Sequence, residues 1–325
     1  MNHIACRHNF AVANHLLSQS SSSVLLDERM DWTLSDQQGR CRAMPIHYRL
    51  HGRPKGPLLV ALGGISANRQ VQCWWRSLYG AGRVFDPERY RILSIDWLVD
   101  EAGITTADQA DALAEVVEHL DLGSIDRLIG ASYGAMVGLA FAERHGQRLR
   151  RLIAISGAHR SRPSSTALRQ IQRDIVALGR ESGQPARGVA VARTLALTTY
   201  RPAALFDRRF AAETPAQIRQ SLSDYLGHQG KTFSSTHDAT RYLCLSTSLD
   251  DHCIDPTRIR CPVDLIGVDS DHLVPPEQLD ELARAIGPDC RVHILNSCYG
   301  HDAFLKEPDA ITALLRDIND QERLS

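Results

Sequence analysis

The chain is 325 residues long and has a formal net charge of −1. This balance of charge gives no electrostatic reason to expect nucleic acid or an acidic membrane as a partner, so we expect the ligand in a pocket. Hydrophobic residues make up 43% and charged residues 23% of the chain, which indicates a globular protein with a large core and excludes a mainly disordered chain, and no stretch approaches the roughly 20 apolar residues of a membrane span.

Residues 1–30 show no regular pattern of helix or strand. They contain scattered His and Arg and a serine run at 20–23, without the long apolar stretch of a secretory leader, so we expect a loosely structured lead-in. The eight cysteines of the chain include no Cys-x-x-Cys pair. This spacing favours reduced thiols and a cytoplasmic location, and we expect no metal site.

Between residues 31 and 157 short apolar runs alternate with helical patterns. One run alternates apolar and polar residues, and the next is almost continuously apolar and ends in Gly63-Gly64. This alternation predicts a mainly parallel, doubly wound α/β sheet. The predicted strands lie at 44–50, 57–62, 91–95, 127–130 and 152–156, and the predicted helices at 105–120 and 133–144.

The alternation stops between residues 158 and 255, which carry helical periodicities and polar connections without a clear strand pattern. We expect a helical insertion over the sheet there, and we call residues 158–255 the lid segment. Residues 256–325 return to alternating elements, with strands at 263–267 and 292–295. The predicted α/β core therefore comprises 31–157 and 256–325.

The motif Gly130-Ala131-Ser132-Tyr133-Gly134 fits the pattern G-x-S-x-G between a predicted strand and a predicted helix. That context is typical of a nucleophile elbow, in which small neighbours let a serine project from a tight turn. The amides at the start of the following helix offer positive potential to a developing oxyanion. Without further partners, a loop rich in Gly and Ala that packs against a strand would explain the motif nearly as well.

A candidate acid follows the strand at 263–267. Asp271 lies where a carboxylate emerges at the carboxyl edge of the sheet and can orient an imidazole. Asp269 is the competing candidate, and either aspartate could instead cap the helix that starts near Pro276. We prefer Asp271 because the Leu-Val-Pro that follows soon after it anchors the loop.

His301 lies in a glycine-containing loop after the last predicted strand, where it can reach Ser132 as the general base. The chain has 14 histidines, so position and order single out this one, and His252 and His272 are expected to be structural or surface residues. The order serine, acid, histidine is that of the α/β-hydrolase fold and differs from the chymotrypsin and subtilisin orders. It predicts a catalytic triad of Ser132, Asp271 and His301.

Backbone amides opposite the elbow are the candidates for an oxyanion hole. The run Leu62, Gly63, Gly64 and Ile65 stands at the end of the second core strand, and its amides can act with the amide of Tyr133. A tight turn without a function is the alternative interpretation.

These residues resemble the homoserine O-acyltransferase family of the α/β-hydrolase superfamily over roughly residues 44–320. The likeness extends to the lid segment and to the histidine loop, which are more specific than G-x-S-x-G. The stretches that carry it are Ala61-Leu62-Gly63-Gly64, Gln172-Arg173-Asp174-Ile175, Ala192-Arg193, Thr199-Tyr200-Arg201, Tyr225-Leu226, Gln229-Gly230, Phe233, Asp238-Ala239, Tyr242-Leu243, Leu249-Asp250 and Gly300-His301-Asp302-Ala303-Phe304-Leu305.

The resemblance implies an α/β-hydrolase fold and the transfer of an acetyl or succinyl group from acyl-CoA to the hydroxyl of L-homoserine in methionine biosynthesis. It implies a ping-pong reaction through an acyl-serine, with acyl-CoA as co-substrate, no bound cofactor and a homodimer formed through the lid segment. It also assigns Arg193 to the carboxylate and Asp302 to the ammonium of homoserine, pairings that suit a guanidinium fork and an anion. Alternatively, Arg193 is a solvated charge and Asp302 caps the final helix.

A few positions depart from the family pattern. Ala131 and Ala135 stand where the family usually has glycine near its serine, and Tyr133 replaces a smaller apolar residue. The connection at 95–105 lacks the longer segment rich in Gly and Pro that usually follows this strand. Other functions stay open at this point: an esterase with water as the acceptor, an acyltransferase that acts on L-serine, and a non-catalytic binding protein of the same fold.

Overall fold

The computed structural model describes residues 24–35, 41–211 and 214–324. Residues 1–23 of the predicted lead-in lie outside this range. For the remainder the prediction is wrong, because Val24–Ser35 forms a strand, β1, that pairs antiparallel with β2 (Cys41–Gly52). The sequence VLLDERMDWTLS has little strand periodicity of its own, so pairing with β2 accounts for its extended form.

The strands form one eight-stranded sheet in the order β1-β2-β4-β3-β5-β6-β7-β8. β2 pairs antiparallel with β1 and β4, and all other neighbours are parallel. The predicted α/β fold with a mainly parallel sheet is confirmed. The strands after β2 are β3 (Leu58–Leu62), β4 (Arg91–Ile95), β5 (Arg127–Ala131), β6 (Leu152–Ile155), β7 (Val263–Val268) and β8 (Cys290–Leu295).

The central strands are apolar on both faces because each face of the sheet packs against its own hydrophobic core. In β3 every residue is buried, with Leu58, Val60 and Leu62 in one apolar cluster and Leu59 and Ala61 in the other. Such continuous apolar runs are typical of parallel strands covered on both sides. The sheet is therefore doubly wound.

Helices cover both faces of the sheet. One face packs against α2, α3 and α9, and the other packs against α1, α10 and α11. A capping box at Thr105 and Asp108 starts α2. The bounds of these helices are α1 (Val71–Trp74), α2 (Thr106–His119), α3 (Tyr133–His145), α9 (Pro276–Ile286), α10 (Ala303–Lys306) and α11 (Pro308–Leu324).

Five helices lie between β6 and β7, where the lid segment is predicted. Prolines in the first turn begin α4, α5 and α7, because proline there has no hydrogen bond to lose. Helices α4, α5, α7 and α8 share a small apolar cluster of their own. The helices are α4 (Pro163–Glu181), α5 (Pro185–Tyr200), α6 (Ala203–Phe210), α7 (Pro215–Ser234) and α8 (Ala239–Asp250).

Candidate active site

Ser132 occupies the tight turn between β5 and α3, with φ of 54° and ψ of −117°. A positive φ is rare for a residue with a side chain and is typical of a nucleophile elbow. Close approach of the backbone explains the flanking glycines. A Cβ on Gly130 would lie 2.2 Å from the carbonyl oxygen of Gly134, and a Cβ on Gly134 would lie 2.4 Å from that of Leu62.

The three side chains predicted as a triad meet at the carboxyl edge of the sheet. Ser132 Oγ lies 2.8 Å from His301 Nε2, and His301 Nδ1 lies 2.8 Å from Asp271 Oδ2. The other carboxylate oxygen of Asp271 accepts hydrogen bonds from the amides of Leu273 and Val274. In this arrangement a histidine can take a proton from a serine while a buried carboxylate orients the ring.

The competing acid, Asp269, contacts the loop after β8 and not the histidine ring. It accepts hydrogen bonds from the amide of Ser297 at 3.0 Å and from the side chain of Asn296 at 2.8 Å. Ser270 donates to the carbonyl of Ser297 and accepts from the amide of Gly300. These bonds hold the loop that carries His301. Asp269 thus positions that loop, whereas Asp271 contacts the histidine ring itself.

Opposing effects set the pKa of His301. Burial lowers it, whereas the charge of Asp271, its hydrogen bond and the charge of Asp302 raise it, and Arg169 acts in the lowering direction. The net result is a pKa above the usual value for histidine. Because a histidine accepts a proton only when it is neutral, the base form of His301 requires a higher pH than ordinary imidazole.

The end of β3 adjoins the elbow. The carbonyl of Gly63 accepts the amide of Gly134 at 2.8 Å, and a Cβ built on Gly64 would lie 3.9 Å from the Cβ of Ser132. Ile65 lines the same cavity as Ser132. The segment predicted to contribute oxyanion-hole amides is therefore next to the nucleophile.

The side chain of Tyr133 points away from the cavity, although its backbone begins α3. It is fully buried, its hydroxyl lies 2.7 Å from Ser248 Oγ, and its ring packs edge-on against Trp97. Tyr133, the unusual residue of the motif, thus fills the core beneath the lid segment. It is not one of the described residues that line the cavity.

A cavity lies between the core and the lid segment and contains the hydroxyl of Ser132 and the ring of His301. Its wall mixes apolar side chains with hydroxyl, amide and guanidinium groups. From the core it includes Ile65, Met136, Ser156, Leu273 and Val274, and from the lid segment Leu168, Arg169, Gln172, Tyr200, Tyr242 and Leu249.

Arg169 of α4 presents a positive charge to this cavity. Its side chain is 14% exposed, Nε donates to Asp250 Oδ1 at 2.6 Å, and Nη2 donates to Ser161 Oγ at 2.6 Å. Arg173, one helical turn later, bonds to the other oxygen of Asp250 at 2.6 Å. Sequence reasoning missed Arg169 because its partner lies in α8, on a different helix.

Arg193, predicted to bind a substrate carboxylate, packs on aromatic rings. Its guanidinium carbon lies 4.7 Å from the ring centre of Phe233 and 5.3 Å from that of Tyr200. Tyr200 lines the cavity, whereas Arg193 is not among the described residues that do. The structure thus places Arg193 behind the wall of the cavity.

Asp302, predicted to bind an ammonium group, forms an ion pair with Arg201. Arg201 Nε donates to Asp302 Oδ2 at 2.6 Å, and Arg201 also bonds to the hydroxyl of Tyr225. The histidine loop packs directly on this part of the lid segment, since a Cβ on Gly300 would lie 2.7 Å from the carbonyl oxygen of Tyr200. Asp302 is thus buried at the junction of core and lid segment.

Ser156, at the end of β6, is a second cavity residue that the sequence analysis missed. Its φ is 49°, it is buried, and its Oγ has no hydrogen-bond partner among the described residues. A signal was available: residues that follow parallel strands stand at the carboxyl edge where ligands bind.

The remaining sequence predictions concern two further histidines, metal sites and membrane spans. His252 is a buried structural histidine, bonded to Thr106 and to the carbonyl of Ala158, and His272 is exposed. Within residues 24–35, 41–211 and 214–324 no group of His, Cys, Asp and Glu is arranged to hold a metal ion. Over the same ranges no helix combines the length and apolar character needed to cross a membrane.

Comparison with known proteins gives a consistent picture. The model of the α/β hydrolase fold family matches residues 51–308. A homoserine O-succinyltransferase of Xanthomonas campestris pv. campestris is 39% identical over 289 residues, covering 84% of this chain and 78% of that protein. A homoserine O-acetyltransferase of Thermus thermophilus is 30% identical over 276 residues, covering 74% of this chain and 70% of that protein.

Solved structures share the fold. A homoserine O-acetyltransferase from Staphylococcus aureus superposes with a TM-score of 0.77 at 23% identity, covering 90% of this chain and 94% of its own. Esterase E22 superposes with a TM-score of 0.77 at 17% identity, covering 90% of this chain and 99% of its own. Transferases and esterases thus have this architecture in common, so the likeness to solved structures shows the fold and does not distinguish the two reactions.

Proposed function

The chain belongs to the homoserine O-acyltransferase family of the α/β-hydrolase fold, and from that membership we propose that it transfers an acetyl or succinyl group from acyl-CoA to the hydroxyl of L-homoserine. The enzymes of this family serve methionine biosynthesis. The observation that carries the acyl-serine chemistry of this proposal is the continuous hydrogen-bonded chain from Ser132 through His301 to Asp271. It supplies an activated nucleophile in a cavity covered by the lid segment.

In the first half-reaction, His301 takes the proton of Ser132 as Oγ attacks the thioester carbonyl. The C–S bond then breaks, the thiolate of CoA receives a proton from His301, and an acyl-serine remains. Amides of residues 62–65 and of Tyr133 are proposed to hold the oxyanion, a contribution of roughly 3–4 kcal/mol per donor in serine hydrolases. No metal or bound cofactor takes part in this scheme.

In the second half-reaction, the hydroxyl of homoserine attacks the acyl-serine carbonyl and gives its proton to His301, which returns it to Ser132 Oγ as the ester leaves. Water competes for the same intermediate, so acceptor orientation and exclusion of water decide the product. Orientation of a bound acceptor can contribute roughly 7–11 kcal/mol.

Arg193 and Asp302 remain proposed ligands of homoserine. Asp302 uses Oδ2 for Arg201 and is not among the described residues that line the cavity, so contact of its Oδ1 with an ammonium group requires the junction of core and lid segment to open. Arg193 lies behind the ring of Tyr200, so its contact with a carboxylate requires that ring to move. A cytoplasmic homodimer is also proposed, and the exposed apolar side chains Ile171 and Leu178 on one face of α4 support an interface through the lid segment.

The test is a product assay with the full chain. We expect acetyl-CoA or succinyl-CoA, mixed with L-homoserine, to yield free CoA and the corresponding O-acylhomoserine by mass spectrometry. L-Serine and water serve as competing acceptors. Release of CoA that does not depend on an amino acid would instead indicate an esterase, and failure of a fluorophosphonate to label Ser132 would indicate a non-catalytic protein.

A further inference from the structure

A cationic group already faces the reacting centre from the lid segment. Arg169 lines the cavity that holds Ser132 and His301, its side chain is largely buried, and its charge is close enough to lower the pKa of His301. Arg160 and Arg162 also line the cavity but are exposed. Among these three arginines, Arg169 is therefore the one whose side chain is largely buried.

The hydrogen bonds of Arg169 leave donors unused. A guanidinium has five N–H donors, and those of Nε and Nη2 bind Asp250 and Ser161. The bonds to Asp250 and Ser161 do not use Nη1. An N–H of Nη1 can therefore donate a charge-assisted hydrogen bond to a carboxylate oxygen of a ligand.

The local charge balance also favours an anionic ligand. Arg169 and Arg173 share one carboxylate, that of Asp250, so this partly buried cluster holds two positive charges and one negative charge. An excess of charge away from water is costly unless a partner compensates it. A bound carboxylate would complete the cluster.

Ser156 provides an independent observation. Its hydroxyl is buried, has no hydrogen-bond partner among the described residues and lines the same cavity, on a backbone with φ of 49°. Buried polar groups are generally hydrogen-bonded, so this hydroxyl in the cavity wall is available to a polar group of a ligand. Strained backbone conformations also cluster at binding sites.

We propose that Arg169, with Ser156 nearby in the same cavity, binds a carboxylate of a substrate. This inference rests on the proposed function, whose reaction offers two such groups: the free carboxylate of a succinyl donor and the α-carboxylate of the amino-acid acceptor. If Arg169 binds the free carboxylate of the succinyl donor, the chain discriminates between the two donors and is a succinyltransferase. The second would place Arg169 in acceptor binding.

The test separates the two half-reactions in the variant Arg169→Gln. Acylation is followed as CoA release in a single turnover without homoserine, with succinyl-CoA and acetyl-CoA in parallel, and transfer is followed by adding homoserine to the acylated enzyme. Loss of one charged hydrogen bond corresponds to roughly 10- to 100-fold. The rates are compared at a pH above the acidic limb of both proteins, where His301 is neutral and the charge of Arg169 no longer affects its protonation. If the donor carboxylate is bound, acylation falls by that factor with succinyl-CoA and is unchanged with acetyl-CoA.

If the acceptor carboxylate is bound, both donors acylate at the wild-type rate and transfer falls by the same factor. Arg173→Gln is the matched control, because Arg173 holds the same Asp250 but is not among the described residues lining the cavity. Arg169→Lys retains a charge beside Asp250 and serves if the glutamine variant does not fold. It is then expected to show the same selective loss, since a lysine lacks the fork.

The proposal is overturned if the Arg169 variants leave both half-reactions unchanged, if acylation falls equally with both donors, or if Arg173→Gln reproduces the loss. Each of those results would make the cluster purely structural. Failure of the wild-type chain to transfer any acyl group to homoserine is a different result, which would refute the proposed function itself.

Discussion

The two sides of the cavity are built in different ways. On the core side, the groups that would perform the chemistry stand on turns at the ends of β5, β7 and β8. Hydrogen bonds from the backbone, to other backbone groups or to short side chains, hold these turns. On the lid side, the groups come from helices and are held by ion pairs between long side chains, such as Arg169 with Asp250 and Arg201 with Asp302. The core side thus holds the reacting groups in a single geometry. On the lid side, substitution of a few side chains can change which ligand is bound.

The largest expected effect comes from the nucleophile on the core side. Ser132→Ala should lower acyl transfer by about 10⁶-fold, the cost of losing such a nucleophile in a serine protease. Product formation by mass spectrometry measures it, and thermal unfolding serves as the control for folding. Substantial O-acylhomoserine formation by this variant would rule out an acyl-serine.

The next effect distinguishes the two aspartates. Asp271→Asn should lower the rate of acylation by about 10⁴-fold, because the ring of His301 loses its orientation and its stabilising charge. Asp269→Asn, which alters only the tether of the histidine loop, should cost far less. Equal losses in the single-turnover assay would contradict the assignment of the acid.

A smaller effect appears in the pH dependence of acylation. Because the pKa of His301 lies above the usual value, the rate should fall with decreasing pH at a higher pH than for an ordinary histidine. Asp302→Asn removes one of the raising charges, so it should move this acidic limb to lower pH. The measurement uses CoA release without homoserine, so acceptor binding does not enter. A limb that moves to higher pH would contradict the electrostatic account.

The smallest expected effect tests the lid side. If Arg193 binds the homoserine carboxylate, Arg193→Gln should raise the KM for homoserine by roughly 10- to 100-fold and leave acylation unchanged. Arg209→Gln is the matched control, since Arg209 also stacks on an aromatic ring, that of Tyr225. An unchanged KM would identify Arg193 as a packing residue only.

The order of strands and helices in the core could be predicted from the sequence because the patterns that indicate them are local. The predicted strand at 57–62 and helix at 133–144 correspond to β3 (Leu58–Leu62) and α3 (Tyr133–His145). The elbow was recognisable because Gly130 and Gly134 report a close approach of backbones that other residues do not allow. β1 was missed because its pairing with β2, and not its own composition, makes it a strand.

The sequence by itself determined the alternation of strands and helices, the turn that bears Ser132, and the chain order of the serine, the acid and the histidine. Those features depend on steric limits and apolar periodicity within a few residues. Only the tertiary structure decided which aspartate contacts His301, and only it brought Arg169 to the cavity and Arg193 behind its wall. Such contacts join side chains far apart in the chain, such as Arg169 and Asp250, and no local pattern encodes where long side chains of different helices meet.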